Sequence, residues 1–503
     1  MNKPSKYLTE KEEQLPLTQR QPPEQDALES SGKIVNKSGD LSRFWQAPQV
    51  ESTLLSYDIT CSIAHIRMLG ETGIISKNNR DTIIAGLNKI KDAVLEGKNI
   101  LLPEDHDIHR CIERCLSEHI GELALSLRLA CSRNDQIATD IRLWLRDATY
   151  EIHELLTKLR HLLVELAERD FNVAMPGYTH MQPAIPILLA HWWLAHEVRF
   201  RRDQARLDDL YRRFNSLPLG ACALAGTSQP IDRNLVARYL GFDDIIENSL
   251  DAVSDRDYLV EFGSFACLTA LHLSQLASEL MLWSTQEFGF VRLSKAFTFK
   301  SSNMPHKRNP ELIEILRSRP NAVFGRLIEI LSQLKALPMG FSQDLQETLP
   351  ALFDMCSNLK LSLELACIML PEIEINQKRM IEAAYADLTN TRNAIEYLVE
   401  RDIPQDKATK IVDSVVHYAK QRRRYLSDLE LNEWQQFSFS FDEEIHKYVN
   451  IEESVSSLSS YGGTSSDQVQ MALLRAKTSI EEDERRLLEA RHRSTPINVS
   501  GND

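Results

Sequence analysis

Between Asp255 and Trp283, apolar side chains fall at Leu259, Phe262, Phe265, Ala266, Leu268, Leu273, Leu276, Leu280 and Trp283. That spacing is the period of an α-helix buried on more than one face, and no proline interrupts it. Such a helix has to be surrounded by others of similar length. The chain supplies them: residues 135–168, 185–214, 311 to about 337 and about 346–370 read the same way, with Pro320 predicting a kink in the fourth. Alternating strand patterns are nearly absent. The periodicity therefore predicts an all-α protein built on long helices, and it leaves their topology open.

The chain has 503 residues, enough for two to four domains and a large core. Residues 1–40 are rich in Lys, Glu, Gln, Pro and Ser with little apolar periodicity, and read as a disordered or loosely attached arm. Residues 486–503 read as a polar tail. No apolar run is expected to span a bilayer, and Met1–Gln25 lacks an apolar signal core. Eight cysteines are scattered through helical segments, which suits reduced thiols and a cytoplasmic protein. A net charge of −14 argues against nucleic acid as a partner. It also means that an anionic substrate would need local cations.

One loop concentrates them. Ser301-Ser302-Asn303-Met304-Pro305-His306-Lys307-Arg308-Asn309-Pro310-Glu311 gathers hydroxyls, cations and an amide ahead of a helix. Asn309 suits the cap, Pro310 the first helical position and Glu311 the first turn. A helix start of this kind holds anions and eases deprotonation nearby. Two other polar segments also precede helical patterns: Ser132-Arg133-Asn134-Asp135-Gln136, and Gly177-Tyr178-Thr179-His180-Met181-Gln182 ahead of Pro183 and Pro186.

The 301–310 loop closely resembles the signature of the fumarase/aspartase superfamily, with Lys300 standing where the leading glycine is usual. The two segments just named, with Asn248–Asp257, narrow the resemblance to the argininosuccinate lyase branch, matching from about Asp58 to about Asp354. This implies a central long-helix bundle over residues 131–372, flanked by helical domains at 41–130 and 373–485. It implies a homotetramer whose active sites are each built from several subunits, and elimination of a nitrogen leaving group from a succinyl unit to release fumarate.

The resemblance also implies roles. Ser301 is the base that takes the Cβ proton, His180 an acid or proton relay, and Glu314 the carboxylate paired with that histidine. Lys307 and Asn309 bind the carboxylate that becomes an aci-carboxylate, and Thr179 and Asn134 hold the fumarate half. Ser132, Arg133, Asp107, His109 and Gln346 match further substrate-site positions. An elimination needs this kind of set, because charge developing on a carboxylate must meet fixed donors and cations, and a departing nitrogen needs a proton.

His106, His109, Cys111 and Cys115 could suggest a metal site. Their spacing is not that of a zinc module, and Cys111 and Cys115 at a helical interval read as buried thiols. No metal and no cofactor are expected.

The chain departs from the family where the arginine half is usually held. Phe341 and Leu349 stand where a tyrosine and a lysine are usual, and Cys131, Ala47 and Glu51 also differ, while Gln346 matches. The expected reaction is cleavage of argininosuccinate to arginine and fumarate. The remodelled positions leave open a related lyase acting on another N-substituted aspartate. A non-catalytic, crystallin-like homologue is disfavoured by the retained Ser301, His180, Lys307 and Asn309.

Overall fold

The computed structural model describes residues 50–102, 105–386 and 388–494. The arm read at 1–40 and the last part of the tail lie outside these residues. Helices dominate, as the periodicity predicts. Three form an N-terminal layer: α1 (Leu55–Glu71), α2 (Lys77–Leu95) and α3 (Ile108–Ile120). Ser76 and Asp107 start α2 and α3 by accepting from the amides of Asn79 and Arg110, so each helix begins at a residue whose side chain replaces a missing backbone partner.

The bundle follows. Its longest member, α4 (Arg133–Arg169), spans about 55 Å at the usual helical rise. A β-hairpin, β1 (Ala174–Thr179) with β2 (Gln182–Leu188), turns the chain into α5 (Leu189–Phe214). The hairpin was not expected: residues 185–188 read as helix but pair as strand, because Pro183 and Pro186 disfavour the helical ladder and tolerate an edge.

Helix α6 (Asp257–Trp283) begins beside α4, where Arg142 pairs with Asp255 at 3.0 Å, and ends beside the start of α5, where the Trp192 and Trp283 rings lie 4.4 Å apart. It therefore runs parallel to α4 and antiparallel to α5. The short strands β3 (Phe299–Lys300) and β4 (Arg308–Asn309) precede α7 (Glu311–Ser318) and α8 (Pro320–Leu334). The break between α7 and α8 falls at Pro320 as predicted, and Arg319 keeps helical angles across it. Helix α9 (Thr348–Met369) returns along α8 and α4.

A second apolar core, including Tyr397, Leu398, Val412, Trp434 and Phe441, gathers residues 388–449. Beyond it α10 (Ser466–Ser494) packs back on α4 and α5. The fully buried Arg160 of α4 binds Glu197 of α5 at 3.0 Å and Asp483 of α10, so breaking either partner would strand a buried charge. Residues 486–494, read as polar tail, are the last turns of this helix.

By length and composition α6 alone among the described helices could cross a membrane, contrary to the expectation that no stretch would. Half of its most apolar window is buried inside the bundle. Its remaining leucines, Leu268, Leu271 and Leu282, are exposed in the single chain, as are Phe324, Ile328 and Leu331 of α8 and Leu361 and Ile368 of α9. An exposed apolar area of this extent marks an interaction surface.

Candidate active site

The first group of expected site residues surrounds the start of α4. Ser132 caps the helix by accepting from the Asn134 amide, and the Asp135 carboxylate returns to the Ser132 amide at 2.9 Å. The other Asp135 oxygen accepts from Gly220 at 2.8 Å and Cys222 at 2.7 Å, and Asn134 Nδ2 donates to the Ala223 carbonyl at 3.0 Å. The 220–223 loop is thus pinned to the helix start. Burial lifts the Asp135 carboxyl to about 6, against those amide donors.

Arg133 fans over this end, 3.2 Å from Asp107 and 3.3 Å from the Gln346 amide oxygen. Gln346 Nε2 donates to Glu51 at 2.5 Å. Burial pushes Glu51 up to about 7, opposed by His109 and Arg133. Asp107 also caps α3, and the His109 imidazole touches Asp58. A cavity of about 350 Å³ opens here, lined by Asp107, His109, Cys131, Ser132, Arg133 and Gln136 among others. Asp107, His109 and Gln346 are thus largely engaged inside the chain.

The second group is the tip of the β1–β2 hairpin. Tyr178 pairs with Pro183 and Thr179 with Gln182, so the turn is His180-Met181. Both have positive φ, 52° and 60°, the geometry of a two-residue turn that matches strand twist. Thr179–Gln182 is exposed. His180 makes no hydrogen bond or ion pair to any described residue. The expectation of a helix start beside Thr179 and His180 is therefore corrected: they ride on a hairpin tip.

The third group is the 301–310 loop, also a hairpin. Phe299 pairs with Asn309 and Lys300 with Arg308, the Ser301 amide donates to the Lys307 carbonyl at 3.0 Å, and the Lys307 amide to Met304 at 2.9 Å. Arg308 locks the loop: Nε donates to Thr298 Oγ1 at 2.7 Å and the guanidinium reaches the carbonyls of Lys295 (3.0 Å) and Thr298 (2.8 Å). Lys307 is left as a cation without a side-chain partner among the described residues, facing a cavity of about 990 Å³ with His306, Arg292 and Glu374 in its wall.

Asn309 does not cap the helix. It sits in β4 with Nδ2 3.5 Å from Glu311, and Pro310 takes the cap position because a strand pair holds Asn309 extended. Glu314 lies half-buried in the first turn of α7, with no side-chain partner among the described residues.

The first group does not meet the other two within one chain. Ser132, Arg133, Asn134, Asp107, His109 and Gln346 share the end of the bundle where α4 starts. Thr179 and His180 follow the far end of α4, where the Tyr178 and Phe288 rings lie 5.8 Å apart, tilted at 53°. Ser301, Lys307, Asn309 and Glu314 follow the far end of α6. Neither cavity holds residues of two groups. Asp58, which lines the first cavity, and Asp140, fully buried behind it, were missed by sequence reasoning. Their signal was a charge on an otherwise apolar helical stripe, between Leu55 and Ile59 in one case and Ile137 and Ile141 in the other. Of the discounted metal set, Cys111 and Cys115 are indeed buried.

A family model described as lyase matches residues 32–325, and one described as argininosuccinate lyase C-terminal matches residues 389–456. Argininosuccinate lyase of Desulforudis audaxviator is 42% identical over 88% of this chain and 96% of its own length. That of a Synechococcus strain is 43% identical over 88% of this chain and 91% of its own. Among solved structures, a variant of EDDS lyase with bound fumarate aligns with a TM-score of 0.79 at 27% identity, over 88% of this chain and 90% of that one. Class II fumarase of Schistosoma mansoni aligns at a TM-score of 0.69 and 16% identity, over 84% and 94%, a likeness of fold alone.

Proposed function

The chain belongs to the argininosuccinate lyases of the fumarase/aspartase superfamily, and from that membership we propose how its residues share the work. It is a carbon–nitrogen lyase that cleaves argininosuccinate to arginine and fumarate. Ser301 takes the Cβ proton. Lys307 and Asn309 stabilise the aci-carboxylate that results, with preorganised charge where charge develops. Thr179 and Asn134 hold the fumarate half, and Ser132 and Arg133 close the wall beside it. His180, oriented by Glu314, moves the proton that the departing nitrogen needs.

The assembly is a homotetramer, and each site draws its groups from different subunits. Support comes from the separation of the first group from the other two within one chain and from the exposed apolar faces of α6, α8 and α9. The compartment is the cytoplasm, on eight cysteines that are all free.

The observation that carries the chemical assignment is the 299–309 hairpin. Its Ser301–Lys307 backbone bond holds a hydroxyl and an uncommitted ammonium on one loop, while Arg308 spends its donors on the loop itself. Purified protein given argininosuccinate should raise the absorbance of the conjugated double bond of fumarate. A flat trace with folded tetramer overturns the assignment. A parallel run with other N-substituted aspartates tests the second reading, which the Phe341 departure favours.

A further inference from the structure

Beneath the Asp107–Arg133 wall, three helices each contribute one ionisable side chain to a closed cluster. Asp58 comes from α1, His109 from α3 and Asp140 from α4, and one atom of each lies within 4.8 Å of the others. Asp58 Oδ1 accepts from Ser62 at 3.2 Å, and Oδ2 touches His109 Nδ1. Asp140 is fully buried, and neither of its oxygens has a hydrogen-bond partner of normal geometry. The groups facing it are Asp58 and the weak thiol donor Cys61 on α1, Glu51 ahead of α1, and Asp135 on its own helix. His109 is the cation of the cluster, and it is engaged with Asp58.

Two carboxylates this close in a dry site cannot both stay ionised against one imidazolium without a further positive charge. That charge is either a metal ion or a proton. A metal bonded to the imidazole and a carboxylate at about 2.0–2.2 Å to each would hold those donor atoms apart. Here Nδ1 and Oδ2 engage each other directly, as an ion pair does, and the counter-charge that this arrangement favours is the proton.

We propose that Asp140 holds a proton inside the cluster and acts as a positioning residue: as a neutral acid facing Asp58, it lets Asp58 keep a single charge for the His109 imidazolium, and so fixes that ring beside Asp107 and Arg133. The functional half of this inference rests on Asp107 and His109 belonging to the substrate site. Burial and the facing Asp58 push the Asp140 carboxyl well above the usual carboxylate range. Burial would lower His109, but contact with Asp58 outweighs it and raises the imidazole. When Asp140 loses its proton at alkaline pH, a second negative charge faces Asp58 and the ring loses its setting.

The test is infrared spectroscopy of the native tetramer with Asp140→Asn beside it. At about pH 8.5, where Glu51 (about 7) and Asp135 (about 6) have released their protons, the native protein shows the C=O stretch of a buried carboxylic acid, and Asp140→Asn lacks it. The variant, isosteric and permanently neutral, keeps kcat/KM within about threefold at pH 7 and loses the native alkaline rise in KM, with kcat little changed. The inference is overturned by a native spectrum without that band, by a band that persists in the variant, or by an unchanged alkaline limb. A stoichiometric divalent metal that the variant loses also overturns it. The native spectrum decides even if the variant does not fold. Failure of the native protein to turn over argininosuccinate would instead strike the proposed function, and leave the spectral result standing.

Discussion

Ser132 caps the start of a helix about 55 Å long, and His180 lies beyond the far end of that same helix. No rotation of either side chain brings them together within one subunit. A substrate touching both has to lie between chains. Mixing Asn134→Ala tetramers, altered beside Ser132 at the helix start, with inactive His180→Ala tetramers, after confirmed subunit exchange, should therefore restore part of the native rate, because some sites receive both intact residues. Activity that stays at background would place both residues in one subunit's site and remove the argument for sharing.

Ser301→Ala should cost at least about a hundredfold in kcat, the scale of a positioned proton-transfer group. The fold should not notice, since the loop is held by the Ser301 amide, the Lys307 carbonyl and the Arg308 guanidinium rather than by the Ser301 hydroxyl. Arg308→Met separates the two roles. It should lower activity by loosening the hairpin, because the guanidinium that lines the cavity is also the clamp on Thr298 and Lys295. A variant at position 301 with most of its rate left would show that another group is the base.

The helices were legible because their cause is local and repetitive. Residues 257–283 carry their own period, and the Ser132–Asp135 capping pair announces the start of α4 on sight. The two hairpins were not legible. His180-Met181 makes its turn without the glycine or asparagine that usually signals one, and the Ser301 loop closes through the Arg308 clamp on Thr298, ten residues back. The Thr179-His180 segment was mistaken for a helix entry, and the 301–310 loop, which does lead into α7, gave no sign of its strand pair, because prolines and polar residues serve both purposes. The far separation of Ser132 from His180 and Ser301 is tertiary, and periodicity holds no trace of it.

Glu51 makes stability pH-dependent. Burial raises it from 4.5 to about 7 in the folded chain. The unfolded chain releases the proton first, so between those values the folded state binds more protons and stability falls as pH rises. The loss amounts to about 3 kcal/mol at most, complete by about pH 8. Glu51→Gln, which keeps an acceptor for the Gln346 amide, should raise Tm relative to native at pH 8 and leave it unchanged near pH 4.5. Equal Tm shifts at both pH values would mean that the effect is packing and not ionisation.

Leu349 stands where the resemblance leads one to expect a lysine, and that absence implied a pocket remodelled at the arginine end. The structure corrects this: Leu349 is 1% exposed, in the first turn of α9 and part of the main apolar core. Position 349 in this chain is a packing position. Leu349→Lys would bury an ammonium with no partner, and should cost about 3–5 kcal/mol of stability, read as a lower Tm, instead of improving catalysis. Phe341 is different. It is half-buried at the edge of the core, close in sequence to Gln346, and Phe341→Tyr can place its hydroxyl toward solvent. That change should leave Tm within about 1 kcal/mol of native stability, and alter kcat/KM for argininosuccinate less than about tenfold. A Leu349→Lys protein as stable as the native, with a higher kcat/KM for argininosuccinate, would move residue 349 out of the core and back into the pocket.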